Sequence, residues 1–148
     1  MGVKSGHGGS VRIEQRVAAP PEKVAAYVSD FRNAREWMVG VLRVERLGED
    51  EYGLTIDSPI GKIESGVRVV EQSPESISWV YTSTIDGGGQ VDVSPDAGGC
   101  LVAYTGDFHL KRRFLDRAAR FVGAERFART NGERSLARLK YLMEAGRY

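Results

Sequence analysis

Asp107, His109 and Arg112 fall within six residues of one another, where a strand-like stretch hands over to a helix-like one. An aspartate and a histidine two apart in a strand point to the same side, so the carboxylate could orient the imidazole as a general base. The same residues equally suit a solvated strand end. Glu125 is the other candidate acid or base. Projected at about 100° per residue along one continuous C-terminal helix, it falls amid Phe121, Ala128 and Leu139. A carboxylate held among apolar side chains keeps its proton to higher pH. Alternatively Glu125 faces outward and pairs with Arg129, four residues on. His7, His109 and the single Cys100 are far apart, and no H-x-x-x-H, C-x-x-C or H-E-x-x-H spacing occurs. No metal site and no cofactor are expected. Gly87-Gly88-Gly89 lacks the G-K-[ST] ending and the following helix of a phosphate loop. No serine occupies a G-x-S-x-G elbow.

These side chains need a scaffold, and its first piece is residues 11–37, VRIEQRVAAPPEKVAAYVSDFRNAREW. Val11, Ile13, Gln15 and Val17 alternate with Arg12, Glu14 and Arg16, the period of a half-buried strand. Pro20 and Pro21 end it and suit a first helical turn, where a missing N–H would go unpaired anyway. Glu22 follows where the helix dipole favours negative charge. Val24, Tyr27, Val28 and Phe31 recur at helical spacing, and Asp30 can cap a second short helix leading to Trp37.

The next stretch predicts six short strands. Their apolar markers are Leu42 and Val44, then Leu54 and Ile56, then Ile63, Val67 and Val69. Ile77, Trp79 and Tyr81 follow, then Val91 and Val93, then Val102, Tyr104 and Phe108. Turn signals separate them at Gly48-Glu49-Asp50, Pro59-Ile60-Gly61, Ser73-Pro74-Glu75, Gly87-Gly88-Gly89 and residues 95–99. Short strands joined by tight turns imply an antiparallel meander. From about residue 113 to 145 the chain lacks proline and turns helical. Phe114, Ala118, Phe121, Ala128, Leu136, Leu139 and Met143 fall on one face. Gly123 and Gly132 each cost about 1 kcal/mol there relative to alanine, so a break near Gly123 is expected. Gly132 either leaves room for a ligand or marks an irregular turn.

A chain of 148 residues suits one domain, read as residues 10–146 behind a flexible Gly-rich leader at 1–9. No apolar run approaches the roughly 20 residues that span a bilayer, and the first ten residues lack the apolar segment of a secretory signal. One cysteine leaves no internal disulfide, so a reducing, cytoplasmic location is expected. Charge is unevenly spread: residues 1–110 carry a net −6 and residues 111–148 a net +7. Either the basic helix is drawn to the acidic body, or it meets anionic lipid or nucleic acid. Arg113, Arg117, Arg120 and Arg138 fall near one another in projection but the arginines form no unbroken block, which favours the first reading, and nucleic acid is not an expected partner.

The order strand, two short helices, six strands, long helix resembles START-like, or polyketide cyclase/dehydrase, domains of the SRPBCC superfamily. The markers are the Ala19-Pro20-Pro21 lead-in, Trp37, Gly98-Gly99-Cys100 before the last strand, and Leu136-Ala137-Arg138-Leu139-Lys140 running on to Glu144. The resemblance covers about residues 10–145. It implies an α+β helix-grip fold, a curved seven-stranded antiparallel sheet around a long C-terminal helix. It also implies a cavity between the two. Trp37, Leu54, Ile56, Val67, Trp79, Tyr81, Val91, Tyr104, Phe121, Glu125, Leu139 and Met143 are the candidate ligand-binding residues. Trp79, Tyr81 and Tyr104 could stack on a flat ligand while their polar atoms orient it, or simply fill the core. The implied function is binding of a small hydrophobic molecule such as a lipid, a quinone or a polyketide-like aromatic. The alternative is an aromatase/cyclase or dehydratase acting in the same cavity, although no catalytic residue can be assigned. A third reading is peripheral membrane contact through the Arg-rich helix. Oligomeric state is not legible in the sequence.

Overall fold

The computed structural model of the chain describes residues 8–110 and 123–146. Its strands are β1 (Gly8–Val17), β2 (Val41–Arg46), β3 (Glu51–Ser58), β4 (Gly61–Gln72), β5 (Ser76–Tyr81), β6 (Ile85–Asp96) and β7 (Gly99–Leu110). They form one antiparallel sheet in the order β1-β7-β6-β5-β4-β3-β2. From β2 to β7 each strand pairs with its successor, and β1 closes on β7 from Gly8↔His109 to Val17↔Cys100. Between β1 and β2 lie α1 (Pro21–Ser29), a 3-10 turn (Phe31–Asn33) and α2 (Ala34–Trp37). After β7 comes α3 (Ala124–Glu144), which packs chiefly on β1 and touches α2. This is the α+β helix-grip arrangement: an open, curved sheet with a long helix held against it.

Local chemistry explains the joints. Pro21 occupies the first turn of α1, and the Pro20 carbonyl accepts from the N–H groups of Lys23 and Val24. Asp30 Oδ1 accepts from the Arg32 N–H at 3.1 Å and caps the 3-10 turn. Hydrogen bonds from the Arg32 side chain hold the Asp30 carboxyl below its usual range. Gly123, at φ 85°, precedes α3 in the left-handed conformation that only glycine adopts easily, so the expected break falls there. At the other end of α3, Glu144 Oε2 accepts from the Ala18 N–H at 2.7 Å and pairs with Lys140, tying the helix to the exit of β1. Leu136, Leu139 and Met143 are fully buried with Trp37, Val67, Ile77, Val91 and Val102. The part of the helical projection through Phe114, Ala118 and Phe121, with Arg113, Arg117 and Arg120, lies outside the described residues.

Three sequence expectations change. Gly87-Gly88-Gly89 is not a turn. It lies inside β6, opposite Phe108, Asp107 and Gly106 of β7, and Gly88 and Gly89 also face Val80 and Trp79 of β5. The reason is close approach: a Cβ on Gly89 would stand 2.4 Å from the Trp79 indole. The true connection from β5 to β6 is Thr82-Ser83-Thr84, where Ser83 Oγ accepts from the Gly66 N–H at 2.8 Å. Second, Leu42 does not face inward with Val44. A bulge between Val41 and Arg43 shifts the phase, so Leu42 is 42% exposed and Val41 turns in. Third, Gly132 borders the cavity, but the space its missing side chain leaves is filled by Ile13. A Cβ there would lie 2.4 Å from Ile13 Cδ1, so the glycine lets α3 press onto β1. No helix among the described residues is long and apolar enough to cross a membrane.

Candidate functional site

The curved sheet and the first half of α3 do not meet fully, and a cavity of about 140 Å³ remains between them. One buried water needs roughly 10–15 Å³, so the space suits something larger. Trp37, Leu54, Ile56, Trp79, Tyr81 and Tyr104 line it. Val67, Val91, Leu139 and Met143 are buried in the core behind the wall rather than on it. Glu125 sits in the first turn of α3, partly exposed, away from the cavity wall. Phe121 lies outside the described residues. A second apolar cluster, Ile63 and Ile85 packed with Ile60, Phe108 and Phe127, contributes Ile63, Ile85, Phe108 and Phe127 to the cavity wall.

A polar seam that the sequence reading missed runs along α3. Ser135 Oγ accepts from the Val39 N–H at 2.7 Å and donates to the Asn131 carbonyl at 2.6 Å. Asn131 Nδ2 in turn donates to the Val39 carbonyl at 3.4 Å. The α2–β2 connection is thereby pinned to the helix, with Gly40 at φ 96° close beneath Asn131. Ala128, Asn131, Gly132 and Ser135 all line the cavity. Their i, i+3, i+4, i+7 spacing is a helical stripe, and the polar Asn131 and Ser135 hide it from a reading of apolar residues alone.

Two of the lining rings, Trp79 and Tyr104, belong to a connected aromatic cluster. Phe31 contacts Tyr52 (5.1 Å between ring centres) and Trp79 (5.3 Å), and Trp79 stacks on Tyr104 at 6.5 Å and 24°. The Tyr104 ring folds back over Gly106, where a Cβ would meet its hydroxyl at 2.4 Å. Burial pushes the Tyr104 hydroxyl well above the ordinary tyrosine range, helped by Tyr81 and by the charge of Asp107. Burial does the same to Tyr81, opposed by a hydrogen bond with Trp79 and reinforced by Asp107. Both therefore stay protonated across the physiological range. Among the described residues the Tyr104 hydroxyl has no hydrogen-bond partner.

Of the candidate proton-transfer residues, Asp107 reaches the cavity. Asp107 is the one carboxylate among the described cavity-lining residues. His109 is exposed at the end of β7, opposite Asp86, and does not line the cavity. Arg112 lies outside the described residues. Among the described residues no three His, Cys, Asp or Glu side chains gather to hold a metal.

An α+β grip around an apolar chamber with a few inward polar atoms is the helix-grip architecture. The chain belongs to the family described as polyketide cyclase / dehydrase and lipid transport, whose sequence profile matches residues 9–144. No curated protein matches the chain. Among solved structures it is similar to a Deinococcus radiodurans protein, 19% identical over 93% of this chain and 98% of that one, with a TM-score of 0.72. A START superfamily protein from Mycobacterium smegmatis is 16% identical, covering 95% and 99%, with a TM-score of 0.69. An aromatase/cyclase from a Streptomyces species is 18% identical, covering 95% and 93%, with a TM-score of 0.70. At these identities the likeness establishes the fold.

Proposed function

We propose that this chain binds a small, flat, largely apolar molecule that carries an oxygen acceptor, in the cavity between sheet and α3. The observation that carries the reading is the Tyr104 hydroxyl. It is a neutral donor on an apolar wall, without a hydrogen-bond partner among the described residues, beside the stacked Trp79 ring. Apolar burial would supply most of the affinity, and the hydroxyl would fix orientation. A quinone or a polyketide-like aromatic meets both demands. 2-Naphthol is a suitable probe, read by tryptophan fluorescence, since Trp37 and Trp79 both line the cavity. Tyr104→Phe should weaken it about 3- to 10-fold, the value of one net hydrogen bond. Ala128→Phe should fill the cavity and abolish binding. Unchanged affinity in a folded Ala128→Phe protein would sink the proposal.

The catalytic alternative rests on Asp107, which lies within electrostatic reach of both tyrosines. A cyclase or dehydratase would lose turnover in Asp107→Asn while keeping probe affinity. A simple binder would have no turnover to lose.

A further inference from the structure

The outward face of α3 has a different character from its buried face. Arg126, Arg129, Arg134 and Arg138 are all exposed, and none is hydrogen-bonded or ion-paired to another described residue. Arg126, Thr130, Arg134, Arg138 and Tyr141 fall along one side at three- and four-residue steps, the spacing of neighbours on a helix. From Arg126 to Tyr141 the row is about 22 Å long, at the rise of an α-helix. Glu133 is the single exposed acid between these arginines. Tyr141 is 62% exposed, one of the few large apolar side chains left in water.

We propose that this face docks on an anionic lipid surface. The convex outer face of a helix carrying unpaired cations matches a flat negative plane, where each charge gains without needing a shaped partner. Arginine stems and a tyrosine at the row's end suit the interface, with rings and methylenes at headgroup depth and charges in water. A protein partner would need an apolar anchor in a pocket, and this face offers only Tyr141 and Ala137. Nucleic acid would favour a groove or interleaved aromatics, which a single convex helix lacks. The rest of the molecule sets the orientation. Residues 1–110 carry a net −6 and are repelled by the same surface, so the charge asymmetry turns α3 towards the bilayer. The opposite face of the same helix lines the cavity, through Ala128, Asn131 and Ser135. Docking would therefore lay the cover of the chamber against the membrane.

The test is co-sedimentation of the full chain with phosphatidylcholine vesicles, alone or mixed with phosphatidylglycerol. Binding should need the anionic lipid and weaken with added salt. Each arginine neutralised should cost about fivefold in partitioning, so Arg126→Gln, Arg134→Gln and Arg138→Gln together should cost on the order of 100-fold. The matching triple lysine variant should bind like the wild type, since a lipid plane reads charge rather than guanidinium geometry. All three sites are exposed, so thermal melts of the variants should match the parent. Equal binding to both vesicle types would overturn the proposal. So would anionic binding that survives the glutamine changes, which would place the contact elsewhere on the chain. Capture of a duplex oligonucleotide without vesicle binding, lost in the glutamine variant, would assign the face to nucleic acid instead.

Discussion

Gly89→Ala is the sharpest probe of how the cavity wall is built. The added Cβ would stand 2.4, 2.7 and 3.1 Å from three atoms of the Trp79 indole, against an ordinary contact above 3.4 Å. The indole must move by about an ångström, and it is 3% exposed with Phe31 and Tyr104 both packed against it. Overpacking of this kind costs about 1–3 kcal/mol. Near 2 kcal/mol, the melting temperature of a domain this size falls by about 4–8 °C. The φ of Gly89 is not positive, so backbone strain adds nothing and the whole cost belongs to the ring. Trp79→Leu removes the ring at its own cost, and Gly89→Ala added to it should then cost under about 0.5 kcal/mol. The resulting coupling of about 2 kcal/mol is within the range for contacting residues. Gly88→Ala is the contrast. Its Cβ would meet the Trp79 carbonyl oxygen at 2.1 Å, which no side-chain change relieves. Thermal melts of the four-member cycle, with tryptophan emission to follow the displaced indole, make the measurement. If Gly88→Ala and Gly89→Ala are both neutral, the glycines form a turn after all and the register of β6 is wrong.

Two further outcomes follow from the geometry. Tyr104 and Tyr81 have hydroxyls raised above the ordinary value, so the unfolded chain loses these protons first as pH climbs. Stability should be flat below about pH 10 and fall above it, and Tyr104→Phe should flatten that decline in urea melts taken from pH 8 to 11; an unchanged alkaline slope would mean that the hydroxyl is in contact with water. Gly132→Ala gains about 1 kcal/mol of helix propensity but drives a methyl into Ile13 Cδ1, so alone it should be neutral to mildly destabilising. In an Ile13→Val background, which removes that carbon, the same change should stabilise by about 1 kcal/mol, and a failure to change sign in thermal melts would show that α3 and β1 are not in close contact.

The local order of this chain was legible because each element carries its own period. Alternation marked β1, the proline pair opened α1, Asp30 capped the turn after it, and Leu136, Leu139 and Met143 marked the buried stripe of α3. Those signals depend only on neighbours a few residues apart, and together with the family markers they settle the helix-grip order. The cavity depends on what lies across the sheet. Trp79 faces inward by its strand parity, but that its ring crowds Gly89 follows from β5 pairing with β6, and no local pattern encodes that pairing. Parity itself failed at Leu42, where a bulge added one residue and turned Val41 inward. Glu125 shares the helical phase of Ala128 and Leu139, but it sits in the first turn of α3, and the cavity is lined further along the helix, where Asn131 and Ser135 flank the apolar stripe. Val67, Val91, Leu139 and Met143 share the inward direction of the cavity residues, yet other side chains cover them. Within an unbroken strand or helix, the local sequence determines which way a side chain points. Whether it meets another side chain or an empty space is decided by segments far away in the chain, packed at distances that only the tertiary structure sets.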